Sequence, residues 1–290
     1  MSDKAKILVQ LDTDLHASVF DRVVAVDAGV DHLFSYAPVK PDQVQGLVHG
    51  AIFTRSAKSL SSTAIFIGGG DVSAGEALLA EARKAMIPGA GLTVSVMLDS
   101  NGSNTTAAAA VRAAAKHLDL SHARALVLGG TGPVGQRVAR LLAHEGAHVR
   151  IASRQVDRAE AVCAAIRAKV PDAKLQAVSA SSSGDGARAL EDRDLVIAAG
   201  AAGIVLLPAK LRLACKTLRV AIDLNAVPPV GIEGVEVFDK GSMHDGVVCY
   251  GALGVGDTKM RIHRAAIAQL FTSNQLVLDA EEIYALAQKI

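Results

Sequence analysis

Short apolar runs alternate with amphipathic stretches along almost the whole chain. Continuous apolar runs predict buried strands, and apolar residues recurring every three to four positions predict helices. In the first half, the predicted strands are 6–11, 63–67 and 92–98, and the predicted helices are 18–26, 72–86 and 105–118. The segment 32–50, which contains Pro38 and Pro41, is expected to be irregular.

The second half repeats the alternation more regularly. Predicted strands lie at 126–128, 149–152, 175–178, 195–199 and 220–224, and predicted helices at 136–144, at 258–271 and from Asp279 onward. The serine-rich stretch 179–186 is expected to be a surface loop, and a glycine-rich region follows the last of these strands. Strands alternating with helices predict an α/β fold with mainly parallel sheets. A chain of 290 residues is long enough for two domains, with joints in the predicted helices near 103–118 and 258–271.

Composition narrows the possible partners. Thirty Lys and Arg against 29 Asp and Glu leave a net charge of +1, which argues against nucleic acid or an acidic membrane surface as the main partner. No apolar run is long enough to span a membrane, and the start MSDKAKILVQLD lacks the apolar core of a signal peptide. Three widely spaced cysteines, Cys163, Cys215 and Cys249, are typical of free thiols in a reducing compartment. We therefore expect a cytoplasmic protein.

A glycine-rich turn follows the predicted strand 126–128. Gly130, Gly132 and Gly135 fall at G-x-G-x-x-G spacing, directly before the predicted helix. Strand, glycine turn and helix in that order favour a dinucleotide site over a plain turn. We expect Gly130 to allow the tight turn, Gly132 to admit the pyrophosphate and Gly135 to let helix and strand pack closely. The predicted site also includes the neighbouring residues Thr131, Pro133, Val134, Ala199 and Gly200.

The end of the next strand indicates which dinucleotide binds. An NAD site normally carries an acidic residue there, but this strand ends at Ser153 and Arg154, with Arg158 four residues further on. A hydroxyl and a guanidinium would bind a 2′-phosphate, which a carboxylate would repel. The alternative is that Arg154 is a solvated surface charge. NADP is therefore the predicted cofactor, and tolerance of NAD stays open because nothing here rejects it.

Polar residues also follow the predicted strands of the first half. They are Asp12 and Asp14 after the first strand, Asp71 after the second, and Asp99, Asn101 and Asn104 after the third. Ligands of parallel α/β sheets bind beyond the carboxyl ends of the strands. Each residue alone could serve ordinary turn chemistry. Together they predict a second binding surface.

One motif points to a different chemistry. His144 to His148 matches H-E-x-x-H, which binds zinc when both histidines lie on one helix face. Here Gly146 is expected to end the helix and His148 to open the next strand, so the two side chains should diverge. The other histidines show no ligand spacing, and no G-x-S-x-G nucleophile turn is present. We therefore predict no metal site.

Several longer strings resemble one known family, the NADP-dependent methylene-tetrahydromethanopterin dehydrogenases of one-carbon metabolism in methylotrophic bacteria. The resemblance covers essentially the whole chain, and methylene-tetrahydrofolate dehydrogenases are similar more distantly. It is carried by QLDTD (10–14), STAIFIGGGD (62–71), MLDSNGSNTTAAA (97–109), GTGPVGQR (130–137), DLNAVPP (223–229) and YGALGVGDTKMRIHRA (250–265).

The resemblance implies a two-domain subunit. A mainly parallel α/β domain, 1–104 plus 272–290, would bind a reduced pterin of the tetrahydromethanopterin type, and a Rossmann-like doubly wound domain, 105–271, would bind NADP across a cleft from it. Family members form homotrimers. The implied reaction is reversible hydride transfer from the methylene pterin to NADP, giving the methenyl form, on the route of formaldehyde oxidation.

The resemblance also implies roles for individual residues. Lys259 corresponds to a lysine near the active site, where it could orient the pterin or tune charge; the alternative is a surface lysine. Asn225, just past a strand, is a candidate for contacting the nicotinamide ribose. The pterin and its tail would bind the polar strand ends Asp12, Asp14, Asp99, Asn101 and Asn104. Hydride loss leaves a cation stabilised by two ring nitrogens, so no acid–base pair is needed, and the sequence offers none.

Other functions remain open from the residues themselves. The same chemistry could act on methylene-tetrahydrofolate or on both pterins. A dehydrogenase of the shikimate type would need a lysine proton donor with an acidic partner in the first half, and Lys40, Lys58 and Lys84 show no such context. A non-catalytic NADP sensor would bind the nucleotide without turnover.

Overall fold

Strands and helices alternate along the chain in the computed structural model, which describes residues 4–290. The strands are β1 (Ile7–Asp12), β2 (His32–Tyr36), β3 (Thr63–Gly68), β4 (Ser95–Leu98), β5 (Arg124–Leu128), β6 (His148–Ser153), β7 (Lys174–Ser179), β8 (Leu195–Ala198), β9 (Val220–Asp223), β10 (Lys240–His244), β11 (Val247–Tyr250) and β12 (Val277–Leu278). The helices are α1 (Val19–Asp27), α2 (Pro41–Phe53), α3 (Val72–Ala85), α4 (Ser103–Ala115), α5 (Pro133–His144), α6 (Val156–Arg167), α7 (Ser183–Leu190), α8 (Ala209–Ala214), α9 (Ala252–Gln269) and α10 (Ala280–Ala287).

The chain divides into two compact units. One comprises the chain up to Thr105 together with Met260–Ile290, and the other is Thr106–Lys259. The first unit contains a five-stranded sheet in the order β12-β4-β3-β1-β2, in which every pair is parallel. Alternate strand residues such as Val9, Ile65 and Val96 join buried residues of α2 and α3 in one apolar core. Strands buried in this way read as continuous apolar runs, which is why the sequence predicts most of them.

The second unit contains a seven-stranded sheet in the order β10-β11-β9-β8-β5-β6-β7. All its pairs are parallel except β10 with β11. Strand β5 lies inside the sheet, with β6 on one side and β8 on the other. The chain order therefore reverses beside β5, and this switch point is where doubly wound sheets bind nucleotides. The predicted α/β class and the Rossmann-like unit are confirmed.

The prediction of an irregular segment at 32–50 is wrong. It contains the strand β2 and most of the helix α2. β2 is an edge strand whose burial alternates between exposed and half-buried, so it has no continuous apolar run. Pro41 occupies the first turn of α2, a position where proline costs no hydrogen bond.

Three further segments differ from the prediction. The serine-rich stretch 179–186 is not all loop, since α7 begins at Ser183. The glycine-rich region contains the β10–β11 hairpin, whose turn residues Asp245 and Gly246 have φ angles of 52° and 80°. An Asp-Gly pair is a hairpin signal of the sequence. Helix α9 starts at Ala252, six residues before its predicted start at Thr258, because glycines mask its first turns.

The compact units also divide at a different residue from the predicted boundary at 271/272. The division falls inside α9, between Lys259 and Met260. His263 is fully buried and stacks on Phe66 of β3 with ring centroids 5.7 Å apart, so this half of α9 belongs to the first unit. Between residues 4 and 290, no helix combines the length and apolar character needed to cross a membrane.

Candidate functional site

The glycine turn lies at the carboxyl end of β5, where the chain order of the sheet reverses. The amide of Gly132 donates to the carbonyl of Gly129 (3.0 Å), and the amide of Gly130 donates to Ala152 of β6 (3.2 Å). The Gln136 side chain donates to the carbonyl of Thr131 (2.8 Å). Gly132 is the N-cap of α5, and Pro133 fills its first position. The turn therefore presents backbone and the start of a helix, an arrangement that binds anionic groups such as a pyrophosphate.

The individual glycines do not divide their tasks as the spacing alone predicts. The positive φ angle of the turn, 66°, belongs to Gly129 rather than to Gly130. A Cβ atom on Gly129 would lie 2.5 Å from Cα of Gly200, so the close approach of these two backbone segments requires glycine at position 129. A Cβ on Gly130 would lie 2.6 Å from the Ile151 side chain. Gly130 thus serves packing against β6, and Gly129 allows the turn.

Ser153 and Arg154 lie where β6 leaves the sheet. Ser153 is half-buried, and its hydroxyl oxygen accepts a hydrogen bond from the amide of Gln155 (3.2 Å). Arg154 is exposed in the loop, and Arg158 is exposed in the first turn of α6. The structure therefore brings the three predicted residues to the carboxyl edge of β6, the strand beside the glycine turn.

Two further strand ends lie along the same edge of this unit. Ala199 and Gly200 directly follow β8, and the amide of Ala199 donates to Leu128 at the end of β5 (2.9 Å). Asn225 follows β9 and is buried, with its amide nitrogen donating to Pro229 (3.2 Å) and its amide oxygen accepting from Val227 (3.0 Å). The Asn225 side chain thus holds its own loop.

The Asp223 carboxylate stabilises the loop that follows β9. Its carboxylate accepts hydrogen bonds from the amides of Asn225 (3.0 Å) and Ile232 (2.8 Å) and is 1% exposed. Burial raises the pKa of Asp223, and the backbone hydrogen bonds oppose that rise. Asp223 is not among the predicted site residues, although it lies in a predicted strand and begins the string DLNAVPP.

In the first unit, three of the five predicted substrate residues are buried and bonded to backbone. Asp12 accepts from the amides of Asp14 and Ser18, both at 3.0 Å. Asp99 accepts from the amides of Asn104 (2.9 Å) and Thr105 (3.1 Å) and from the Thr105 hydroxyl (2.6 Å). These carboxylates therefore shape the loops after β1 and β4.

Asn104 links two distant parts of the same unit. Its side-chain nitrogen donates to the carbonyl of Leu98 (2.6 Å) and to the carboxylate of Asp279 (3.0 Å), which is 175 residues away along the chain. Asp279 is the N-cap of α10. No local pattern predicts this pair, because only the fold brings the two residues together.

Asp14 and Asn101 are the two exposed members of the set, and both meet the glycines after β3. The Asp14 carboxylate accepts from the amide of Gly70 (2.9 Å to each oxygen), and the amide of Asn101 donates to the carbonyl of Gly69 (2.7 Å). The loops after β1, β3 and β4 therefore join at Gly69 and Gly70. This junction, with Asp14 and Asn101 exposed on it, is the second candidate surface.

Lys259 lies in α9 and is half-buried, at the end of the second unit. Four residues later, His263 is enclosed in the first unit, 3.9 Å from the Asp21 carboxylate and beside the rings of Phe20 and Phe66. His263 is not among the predicted site residues. The sequence shows that His263 lies one helical turn after Lys259, but it does not show that His263 is buried.

The H-E-x-x-H match is not a helical motif in the structure. Helix α5 ends at His144, Gly146 has a φ angle of 88°, and His148 begins β6. As predicted, the two histidines do not share a helix face.

A different group of potential metal ligands does come together in the second unit. His244 Nε2 lies 2.9 Å from the Asp239 carboxylate, and one ligand atom each of Asp239, His244 and Cys249 lie within 4.8 Å of one another. Burial, followed by the charge of Asp239, raises the pKa of the Cys249 thiol to about 11. Cys249 is therefore a thiol at neutral pH. The β10–β11 pairing creates this proximity, which the spacing of the residues in the sequence did not indicate.

Comparisons with known proteins agree with these two units. Residues 19–101 match the family model of the N-terminal part of methylene-tetrahydromethanopterin dehydrogenase, and residues 125–217 match that of the saccharopine dehydrogenase NADP binding domain. The bifunctional protein MdtA of Methylorubrum extorquens is 44% identical over 98% of this chain and 99% of its own length. The NAD(P)-dependent methylenetetrahydromethanopterin dehydrogenase of the same organism is 31% identical over 99% of both chains.

Solved structures share the fold. A shikimate 5-dehydrogenase from Listeria monocytogenes has a TM-score of 0.56 at 14% identity, over 97% of this chain and 96% of that one. The match to an NADP binding domain and the full-length similarity to an NAD(P)-dependent relative define a nicotinamide-dinucleotide-dependent protein with a Rossmann-like unit and a second α/β unit. Within that class, the full-length identities place it plainly: the chain belongs to the methylene-tetrahydromethanopterin dehydrogenase family.

Proposed function

We propose that this protein catalyses reversible hydride transfer between methylene-tetrahydromethanopterin and NADP, giving the methenyl pterin. The observation that carries the proposal is the 31% identity, over 99% of both chains, to a relative named as an NAD(P)-dependent methylenetetrahydromethanopterin dehydrogenase. The glycine turn at the switch point of the second sheet supports it, since that backbone suits a dinucleotide pyrophosphate.

The chemistry asks little of the side chains. NADP supplies the hydride acceptor, and the methylene carbon that loses hydride becomes a cation shared by two ring nitrogens. No O–H or N–H proton has to move. The residues of the protein therefore have to bind the pterin and NADP, orient them toward each other and exclude water. Holding the two reactants close together accelerates such a reaction. Backbone amides donate hydrogen bonds to the carboxylates of Asp12, Asp99 and Asp223. These bonds hold the loops after β1, β4 and β9 in place, as such positioning requires.

Ser153 and Arg154 support NADP as the preferred cofactor. They occupy the end of β6, where an NAD-specific site carries an acidic residue. Arg154 is exposed and can turn its planar guanidinium toward a 2′-phosphate, with Arg158 in the next turn as a second cation. NAD would lose these contacts but meet no repulsion, so we expect it to be a weaker cofactor.

The burial of the predicted pterin residues of the first unit suggests two different roles for them. Asp14 and Asn101 are exposed at the junction of three loops and would contact the pterin directly. A carboxylate suits the N–H groups of a pterin ring, and an amide suits its carbonyl. Asp12, Asp99 and Asn104 are buried, and would hold these loops in place. Lys259 would lie near the developing cation, where it orients the pterin.

The identity of the pterin is the finer question. Activity on methylene-tetrahydrofolate as well is the alternative that we keep, and the relative at 44% identity is named a bifunctional protein. Both reactions use the same bond changes. We expect the polar loop junction of the first unit to distinguish the two pterins.

We further propose a cytoplasmic homotrimer that serves formaldehyde oxidation, as the family resemblance implies. The three free cysteines suit a reducing compartment. Helix α1 supports assembly, because Val19, Val23 and Val26 form an apolar stripe that is 70%, 55% and 63% exposed. Such stripes on a protein surface commonly mark contacts with other chains. Sedimentation equilibrium at several concentrations tests the assembly, and a monomer at all of them would exclude it.

One assay tests the central proposal. Purified protein is mixed with methylene-tetrahydromethanopterin or methylene-tetrahydrofolate and with NADP or NAD, and the reduced nucleotide is followed by absorbance. We expect the fastest turnover with the methanopterin substrate and NADP. Binding of NADP without turnover on either pterin would show a nucleotide sensor and overturn the proposal.

A further inference from the structure

A strongly basic groove lies at the amino edge of the sheet in the second unit. Arg124, His148 and Lys174 are the first residues of the neighbouring strands β5, β6 and β7. Arg124 is the direct Cα partner of His148, and His148 is that of Lys174. Arg193, two residues before β8, lies at the same edge. Parallel pairing thus aligns three basic residues, and Arg193, which is 69 positions after Arg124 in the sequence, adds a fourth.

This groove has a volume of about 400 Å³, and Arg150 and Arg167 line it as well. Five lysine and arginine side chains therefore line it, and no acidic residue does so. The chain as a whole is balanced, with 30 basic against 29 acidic residues. The concentration of positive charge is therefore local to this groove. Asp194, which is not among the lining residues, lies 3.9 Å from Nε of Arg124 and accepts a hydrogen bond from its backbone amide (2.8 Å).

The arginines are held in place before any ligand binds. Arg150 donates through Nε to Gln176 (3.1 Å) and through Nη1 to the carbonyls of Arg188, Ala189 and Glu191. Arg167 donates to the carbonyl of Leu175 (2.7 Å), and Arg193 to that of Glu191 (3.1 Å). Cations fixed in this way lose little freedom when an anion arrives.

The positive charges of these arginines repel one another when no anion is bound in the groove. Arg193 is only 8% exposed. Burial and the neighbouring charges of Arg150 and Arg124 lower its pKa, and the charges of Asp194 and Asp192 only partly oppose this. An anion in the groove would relieve the repulsion.

The groove is separate from the glycine turn. The turn follows the carboxyl end of β5, whereas the groove begins at the amino end, and five residues at about 3.3 Å each separate the two by roughly 16 Å. A ligand in the groove would therefore not compete with a dinucleotide at the turn.

We propose that this groove is a binding site for a small polyanion that carries at least two phosphate groups. Guanidinium groups match phosphate oxygens in pairs, and five cations suit several negative charges better than one. A volume of this size is in the range of small-molecule sites. This site does not depend on the proposed function.

The test is calorimetric titration of tripolyphosphate into NADP-saturated protein at physiological ionic strength, in a buffer without phosphate. Saturation with NADP blocks the glycine turn, so binding that remains reports on the groove. We expect R124Q/K174Q to weaken the affinity by about tenfold or more, K174Q alone by a smaller factor, and K210Q not at all. Lys210 is exposed on α8 and does not line the groove. An unchanged affinity for NADP shows that each variant is folded.

Three results would overturn the proposal. They are no binding of tripolyphosphate by the unmodified protein either with or without NADP, equal binding of tripolyphosphate by R124Q/K174Q and the unmodified protein, and equal affinity for sulfate, which would mean an adventitious ion only. ATP in place of tripolyphosphate distinguishes the sources of the phosphates. Tighter binding of ATP would identify the ligand as a nucleotide, and equal or weaker binding would identify the phosphate chain itself.

Discussion

Gly135 in the first turn of α5 packs directly against Gly129 and Gly130: a Cβ atom on Gly135 would lie 2.8 Å from Cα of Gly130 and still closer to the Gly129 carbonyl oxygen. Backbone, unlike a flexible side chain, cannot move aside without moving the turn. The third glycine of the fingerprint therefore sets the position of the turn relative to the helix.

The substitution Gly135→Ala should consequently displace the turn. We expect the dissociation constant for NADP to rise by about tenfold or more, which corresponds to about 1.4 kcal/mol. Gly46→Ala in α2 is the matched control, because a Cβ there meets nothing within 4 Å. The control should leave NADP binding unchanged and raise the free energy of unfolding by about 0.5–1 kcal/mol. Normal NADP binding by Gly135→Ala would contradict the packing argument.

Arg154 is expected to read the 2′-phosphate. Removal of a charged hydrogen-bond partner costs about 1.5–3 kcal/mol, so Arg154→Ala should raise KM for NADP by about ten- to a hundredfold. KM for NAD should change little, since NAD has no 2′-phosphate. Arg83→Ala, an exposed arginine of α3 in the other unit, controls for the loss of a surface charge. Equal effects of Arg154→Ala on both cofactors would show that Arg154 does not distinguish them.

Asp14 is expected to act on the pterin and not on the nucleotide. Asp14→Ala removes an exposed carboxylate and its hydrogen bonds to Gly70, so KM for the pterin should rise by about tenfold, as for a lost charged contact. KM for NADP should stay the same. Asp42→Ala, another exposed aspartate of this unit, should change neither constant. A parallel change in both constants on Asp14→Ala would indicate general damage to the fold.

Lys259 is expected to affect the chemical step. Lys259→Ala should lower kcat by about tenfold or more while the dissociation constant for NADP, measured by titration, remains unchanged. Lys58→Ala, at an exposed lysine of the first unit, is the control. Unchanged turnover would remove Lys259 from the active site.

Asp239 should make stability depend on pH. Burial alone would raise the pKa of Asp239, but hydrogen bonds from His244, from the amide of Glu236 and from Ser242 lower it. A lowered folded pKa means that the carboxylate stabilises the protein above its unfolded pKa of about 3.9, and that this stability is lost as pH falls through the folded pKa. At pH 7, Asp239→Asn should lower the free energy of unfolding by about 1–3 kcal/mol, because it leaves a buried donor unpaired.

Urea unfolding at a series of pH values measures this difference. The gap between the unmodified protein and Asp239→Asn should shrink below about pH 4, where the aspartate begins to be protonated. Asp172→Asn, at an exposed aspartate between α6 and β7, should give no gap at any pH. A gap that stays constant down to pH 3 would show that the charge of Asp239 is not the cause.

The sequence predicts those parts of the fold whose residues are buried on both faces. Strands such as β3 and β5 read as uninterrupted apolar runs, and α5 follows from its position after the glycine turn. The apolar pattern does not predict β2, an edge strand without such a run. It does not predict α2 either, because Pro41 suggests a break in the helix but lies in its first turn, where proline is tolerated. The local pattern of apolar residues indicates which segments are buried, and elements at the edge of a sheet bury few residues.

The sequence predicts which residues belong to the candidate site, and the tertiary structure shows which of them are exposed and which support the backbone. Asp12 and Asp14 are both acidic and two residues apart, yet one is buried against backbone amides and the other is exposed. Asp12 is the last residue of β1, whereas Asp14 lies in the bend beyond it, so the two carboxylates have different surroundings, which composition cannot reveal. Similarly, spacing identifies Gly130, whereas the backbone angle assigns the turn to Gly129.

By itself, then, the sequence determined the alternating α/β class, the dinucleotide turn and the family, because these depend on neighbours in the chain. Tertiary structure alone decided that Asn104 meets Asp279, that α9 is shared by the two units, and that Arg124, His148 and Lys174 line one groove. The physical reason is the same in each case. Parallel pairing and helix packing bring together side chains from distant parts of the chain, and no local pattern of residues encodes which of them will meet.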